Sequence, residues 1–210
     1  MSDSLRDRVL LEALAEVPEH GFSDSVLARA GERVGAAKRD MLDAFPQGPA
    51  SLVEAFSHWA DDRMAAEMTS ETSKRVRERV RNAVKARIEA LTPHKHAARR
   101  ATAFLALPQH AALAARLTMR SVDQMWRAVG DRSSDFSYYT KRGLLAGVYG
   151  ATLMYWLSDS SEGHAATWEF LDHRIANVMQ IEKFRSQARD VLSKLPNPIE
   201  ILAGLRGGRR

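Results

Sequence analysis

The sequence predicts an all-α protein, and three observations predict it. Apolar residues recur at three- and four-residue steps along nearly the whole chain, the period of an amphipathic helix. Ser, Asp, Pro and Gly fall between those runs, where helices start and stop. The 12 Gly and 7 Pro among 210 residues are too few for a loop-rich β fold or a disordered chain.

Each helix has its own signature. Leu5, Val9, Leu10, Ala13, Leu14 and Val17 share one side of the first, which Pro18 and Gly21 end. Ser23 or Asp24 caps a short second helix carrying Val26, Leu27 and Ala30. Gly31 to Gly35 reads as a turn, and a third short helix runs to Phe45, just before Pro46. Three short helices in this span give a helix-turn-helix outline. A longer helix then places Leu52, Val53, Phe56, Trp59, Ala60 and Met64 on one side. Val76, Val80, Val84, Ile88 and Leu91 form a narrow stripe that Pro93 ends, and a surface loop with His94 and His96 is expected after it. Pro108 opens a helix through Leu113, Leu117, Val122, Met125 and Trp126, closed by Gly130. Ser133, Ser134 or Asp135 caps the most apolar helix, Phe136 to Leu157. Asp159, Ser160 and Ser161 precede a last core helix with Trp168, Phe170, Leu171, Ile175 and Met179. The expected segments are 1–48, the helix-turn-helix; 49–182, a helical bundle; and 183–210, an amphipathic end.

Composition narrows the chemistry. There are 31 Lys and Arg against 26 Asp and Glu, a net +5, and no Cys, which removes disulfides, thiolate zinc sites and thiol nucleophiles. The longest run without a charge, Gly143 to Ser158, is shorter than the about 20 residues of a membrane span. Charged residues at Asp3, Arg6, Asp7, Arg8 and Glu12 interrupt any secretory signal. A bacterial cytoplasmic protein, soluble or peripheral to the membrane, is therefore expected. A di-iron bundle needs Glu-x-x-His, yet Val17, Ala55, Leu91, Pro93, Leu107, Ser161 and Phe170 stand three residues before the seven His. Phosphate-loop, dinucleotide, zinc-protease and nucleophile-elbow motifs are also missing. No metal, no catalytic residue and no enzyme activity is expected.

Four stretches invite a binding role. Lys74 to Arg87 holds seven basic residues and only Glu78, fit for phosphates or lipid headgroups, or for the solvated face of an ordinary helix. The third helix offers Lys38 and Arg39 beside Asp40 and Asp43, and nothing polar for base edges, which disfavours DNA. Gly143, Gly147 and Gly150 interrupt the most apolar helix. They suit close helix packing, within the domain or in a dimer, or a channel for an aliphatic ligand. Phe184, Ala188, Val191, Leu192 and Leu195 share one face flanked by cations, and Ile199, Ile201, Leu202 and Leu205 follow. That pattern suits a membrane interface, or a terminal helix docked on its own domain.

Ser133-Ser134-Asp135-Phe136-Ser137-Tyr138-Tyr139-Thr140-Lys141-Arg142, followed by Gly143 to Tyr149, resembles the signature of the ubiquinone-biosynthesis accessory proteins with a TetR-like fold. Met125 to Asp131, Asp159 to Ser161, Thr167 to Leu171 and Leu202 to Leu205 match as well, so the likeness covers roughly Leu117 to Val178 and the end of the chain. The resemblance implies a TetR-like homodimer, no longer a DNA regulator, that binds isoprenoid or other lipid. It would present a quinone precursor at the membrane to the hydroxylase acting on demethoxyubiquinone. By resemblance, Met125, Trp126, Asp135, Tyr138, Tyr139 and Arg142 fall on the surface patch for that hydroxylase. Leu145, Val148, Tyr149, Leu153, Trp156, Trp168, Leu171 and Ile175 are candidates for the lipid-cavity wall, from position and apolarity. The family's terminal helix binds membrane, which assigns Phe184, Val191, Leu192, Leu195, Ile199, Ile201, Leu202 and Leu205 to that surface. No cofactor is expected beyond a bound isoprenoid or phospholipid. The alternative is a TetR-type transcriptional repressor with a lipid-like ligand.

Overall fold

Backbone hydrogen bonds and caps turn that periodicity into helices at almost every expected place. The computed structural model describes residues 4–73, 75–130 and 136–193, with the backbone alone for 136–139 and 181–193. They divide into two units, Met1–Leu171 and Asp172–Arg210. The described residues are all helical, apart from short connections.

In the first unit, α1 (Leu5–His20) starts at Ser4, whose hydroxyl accepts from Asp7 N at 3.2 Å. It continues through Pro18 and closes at Gly21, whose φ of 67° suits a residue without Cβ and whose N–H bonds Val17 O. Ser23 caps α2 (Asp24–Arg33), and α3 (Lys38–Ala44) follows a turn. Gly31 lies inside α2 because a Cβ there would meet the Met41 side chain of α3 at 2.8–3.2 Å. Glu16 of α1 is gripped by Arg29 and Arg33 of α2, so an ion cluster joins the first two helices.

The bundle is built on α4 (Pro49–Met68), with Pro49 in the first turn, where a missing N–H costs nothing. Leu52, Val53, Phe56, Trp59, Ala60 and Met64 are all buried, as the spacing predicts. Around α4 pack α1, α5 (Val76–Leu91) and α7 (Ala111–Ala128), and α8 (Phe136–Ser158) lies on α7. The first turns of α9 (Ala165–Ser193) complete the first unit; the remainder of that helix belongs to the second. Glu54 of α4 takes Arg6 of α1 and Arg116 of α7, each at 3.2 Å, a partly exposed link worth little alone.

Two expectations fail here for physical reasons. The expected loop after Pro93 is a helix, α6 (Lys95–Leu105), entered through a short 3-10 turn. Pro93 sits at the start of that turn and begins a helix instead of ending one. The inward residues of α6 are Ala97, Ala98 and Ala101, too small to register as an apolar stripe. Arg87, counted among the solvated cations of α5, is buried. Its Nε donates to Asp61 Oδ1 at 2.7 Å, Nη1 to the Tyr149 hydroxyl, and Nη2 to Ser57 Oγ at 3.0 Å. Asp61 is 1% exposed, and Arg120 Nε stands 3.8 Å from its other oxygen. Burial opposes the Arg87 charge, but Tyr149 and Asp61 outweigh it and hold the guanidinium above its ordinary range. Burial also raises the Tyr149 hydroxyl, so the phenol stays protonated.

Removing one member of a buried ion pair strands the other. Arg87→Met is therefore expected to cost about 3–5 kcal/mol. Asp61→Leu with Arg87→Met should recover much of that loss, as denaturant unfolding would register; equal losses in both variants would deny the pair this role.

Two imidazoles set a pH dependence. Burial pushes His58 below its usual value, with Arg120 adding to the effect, and burial with Arg63 does the same to His94. The folded state thus prefers both neutral, so their contribution is complete above about pH 6.5, the ordinary histidine value. It is lost as pH falls below that, because the unfolded chain takes up protons first. Unfolding free energy is expected to drop between pH 7 and pH 5.5, and to drop less in His94→Phe. A flat profile in urea titrations would remove this account.

Candidate functional site

The α8 helix is apolar around much of its circumference, yet the first unit covers only one side of it. Leu145, Val148, Tyr149, Thr152 and Trp156 are buried. On the opposite side, Gly143 and Gly147 are exposed, Gly150 is half-buried, and Met154 is 57% exposed. Their offsets of 0, 4, 7 and 11 residues make one face. Among the described residues, a Cβ built on Gly143, Gly147 or Gly150 would meet nothing within 4 Å. Close packing among the described residues of the first unit is therefore not what these glycines serve. The expectation that α8 is buried on several sides is corrected in the same way: among the described residues Met154 and Tyr155 stay exposed beside the glycines.

The open face leads into a groove between α6 and α8. Arg99, Thr102 and Ala103 of α6, Ala106 just past its end, and Met154, Leu157 and Ser158 of α8 border a shallow, open groove of about 420 Å³. Arg99 Nη2 donates to Leu157 O and Lys95 Nζ to Asp159 O, each at 2.6 Å, so two cations of α6 complement the C-terminal dipole of α8. Asp159 then orders the turn into α9. It accepts from Ser161 N at 2.8 Å, Thr167 N at 3.0 Å and the Thr167 hydroxyl at 2.5 Å. Burial opposes its charge, but these donors prevail and hold the carboxyl far below the ordinary aspartate range.

The expected lipid-wall residues fall into distinct places. Leu145, Val148, Tyr149 and Trp156 come together on the covered face of α8, Leu153 is half-buried, and Leu171 is buried at the start of α9. Trp168 is partly exposed, its Nε1 donating to Gly163 O at 2.9 Å and Lys85 Nζ lying 5.4 Å from its ring. Ile175 is in the second unit. None of these eight lines the groove, whose walls are α6 and the other face of α8. Sequence reasoning missed the groove because it missed α6. Trp156 is fully buried and its Nε1 has no hydrogen-bond partner.

The expected partner patch is less of a surface than its residue types suggested. Met125 is fully buried, sharing the inward stripe of α7 with Leu117, Ser121 and Val122. Arg142 is buried too, since Asp123 of α7 accepts from its Nε at 3.0 Å and its Nη2 at 2.7 Å. As direct surface anchors these two are corrected: they fasten α8 to α7. Trp126 remains partly exposed with Lys141 Nζ 5.7 Å from its ring. Tyr138 and Tyr139 lie in the first turn of α8, their side chains outside the described residues, as is Asp135. Phe184, Val191 and Leu192 lie on α9 with side chains likewise outside. Leu195, Ile199, Ile201, Leu202 and Leu205 are outside the described residues altogether.

Known proteins share both the sequence and the fold. The profile of the COQ9 family matches residues 111–182. "Ubiquinone biosynthesis protein COQ9, mitochondrial" of Xenopus tropicalis is 30% identical over 223 residues, covering 98% of this chain and 68% of that protein. The chain belongs to the COQ9 family. The COQ9 proteins of Drosophila melanogaster (34% identical over 191 residues) and Rattus norvegicus (30% over 196) cover 88% and 89% of this chain. The chain spans 58% and 62% of the length of those two relatives. A TetR transcriptional regulator from Nitrosomonas europaea superposes with a TM-score of 0.66 at 18% identity, covering 83% of this chain and 97% of that one. The fold is thus TetR-like and all-α. The COQ9 match begins at the first residue of α7 and takes in all of α8, so it includes the open glycine face.

Open space at Gly147 yields a direct test. Gly in a helix interior is about 0.8–1.0 kcal/mol less favourable than Ala. Gly147→Ala is therefore expected to stabilise the isolated chain by up to about that amount in denaturant unfolding, and a loss of stability would mean that another surface occupies the space.

Proposed function

We propose that this COQ9-family chain acts in ubiquinone biosynthesis as a lipid-binding accessory protein without catalysis of its own. It takes up an isoprenoid quinone precursor and presents it to a partner hydroxylase at the demethoxyubiquinone step, as a homodimer peripheral to the inner membrane. The observation that carries this reading is the apolar face of α8 with its three glycines, uncovered by the described residues and running into the α6–α8 groove. Missing side chains leave room along a surface that is costly to leave in water, and both an aliphatic chain and a second copy of α8 fit that description. Family membership supplies the pathway, since the relatives are ubiquinone biosynthesis proteins by name. No helix among the described residues is long and apolar enough to cross a membrane, in keeping with attachment from one side.

The repressor alternative finds little support in α3. Lys38, Arg39, Asp40 and Asp43 are all exposed, two cations against two anions, with Leu42 61% exposed beside them. Anions matching the cations one for one weaken the pull of this helix on phosphates. A sequence-specific DNA complex sensitive to Lys38 and Arg39 would revive that alternative.

Mass spectrometry of an organic extract from the purified chain tests the lipid role. A near-stoichiometric isoprenoid or quinone is expected. Ala103→Trp or Ala106→Trp, which fill the groove, should lower its recovery about tenfold, equivalent to about 1.4 kcal/mol of binding. An extract empty of lipid from detergent-free protein would overturn the reading.

A further inference from the structure

The basic run at the start of α5 finds no use in the lipid groove or in the bundle core. Arg75 caps the helix without a side-chain capping bond, and Arg77 and Arg79 stand in its first turns, with Glu78 as the acid there. Lys74 precedes them in the sequence. The Arg75 side chain is 83% exposed, its link to Glu78 is a long 3.6 Å, and Arg77 is exposed. Arg79 Nη1 lies 3.8 Å from where a Cβ would stand on Gly130, which sets the end of α7 beside this turn, and Arg79 Nε is buried without an acceptor. Arg127, in the last turn of α7, adds another exposed cation, held on one side by Asp123 at 2.7 Å. Among the described acids nearby, Glu71 is held in place, accepting from Asn82 Nδ2 at 2.6 Å and Ser73 N at 2.7 Å.

This arrangement works against the helix that carries it. The N-terminus of a helix is the positive end of its dipole and favours anions, so arginines gathered there oppose it. An external anion would satisfy the dipole, the uncapped N–H groups and the guanidinium groups together. Val76, between Arg75 and Arg77, continues the apolar stripe of Val80 and Val84, yet is 51% exposed because the first turn overhangs the core. At about 100° per residue, Arg75, Val76 and Arg77 point in three directions around the axis. Such a cluster fits an extended planar array of charges met end-on better than a single phosphate strand followed along one face.

We propose that the first turn of α5, through Arg75, Val76 and Arg77 with Arg79 and Arg127 beside them, is a docking surface for an anionic phospholipid bilayer, separate from the chain's amphipathic end. Arginine supplies headgroup contacts, and Val76 the shallow apolar insertion that a polyanion such as RNA would not reward. The inference rests on the membrane-peripheral reading above.

Co-sedimentation of the full chain with vesicles tests it, using phosphatidylcholine alone and phosphatidylcholine mixed with phosphatidylglycerol, across a salt series. A basic residue near an anionic surface is worth about fivefold in partitioning. Arg75→Gln with Arg77→Gln should therefore lower binding to the mixed vesicles by roughly twenty-five-fold and flatten its salt dependence, with circular dichroism unchanged. Val76→Ser should weaken binding less and leave the salt dependence intact. If the full chain binds and the double variant binds equally, this surface is overturned while the membrane reading stands. A full chain that ignores both vesicle types overturns both. Displacement of the chain from vesicles by single-stranded RNA, with retention on the RNA lost in the double variant, would assign the surface to nucleic acid and overturn the proposal.

Discussion

The bundle depends on one buried arginine. Arg87 reaches Asp61 on α4 and Tyr149 on α8 from its place on α5, and takes two further acceptors from Ser57. Three helices distant in sequence are thereby fixed in register at one point inside the core. Apolar side chains slide past one another at modest cost, whereas a buried guanidinium must keep its partners or leave a charge unsatisfied. The pair adds little net stability over a well-packed apolar alternative. What it supplies is discrimination: only one relative placement of α4, α5 and α8 satisfies all of its donors.

That anchoring decides which side of α8 faces inward. With Tyr149 drawn to Arg87, Leu145 one turn before it and Trp156 two turns after it are turned into the core, and Arg142 is held against Asp123 on α7. Gly143, Gly147 and Gly150 are then left on the open side, next to the groove formed with α6. The polar groups of α8 therefore orient it, and its glycine face is left uncovered by the described residues of the first unit. The same division appears in α7, where Met125 packs inward while Trp126 is left partly exposed beside it. A motif read as a surface patch is in part the fastening that holds such a surface in place.

Much of this was legible without a structure. The order of helices, the helix-turn-helix outline and the core faces of α1 and α4 follow from three- and four-residue spacing and from Ser, Pro and Gly at the boundaries. The α6 helix was not legible, since alanines at Ala97, Ala98 and Ala101 bury well but carry a weak apolar signal and Pro93 looked like a stop. Arg87 did leave a trace: it lies seven residues beyond Val80 and three beyond Val84, on the apolar stripe and not on the charged face. The number of cations around it concealed that offset.

The sequence by itself determined an all-α chain, its helix order, and membership of a family through the run from Ser133 to Tyr149. These are local properties, set by propensity, spacing and motif. The tertiary structure decided that Arg87 is a core residue, that Met125 and Arg142 are buried, and that the glycine face of α8 is left uncovered by the described residues. Helical periodicity specifies which side chains share a face, but not which other helix covers it. That choice is made by contacts such as Arg87 to Asp61 and to Tyr149, 26 and 62 residues apart, whose partners lie far beyond the reach of any local pattern.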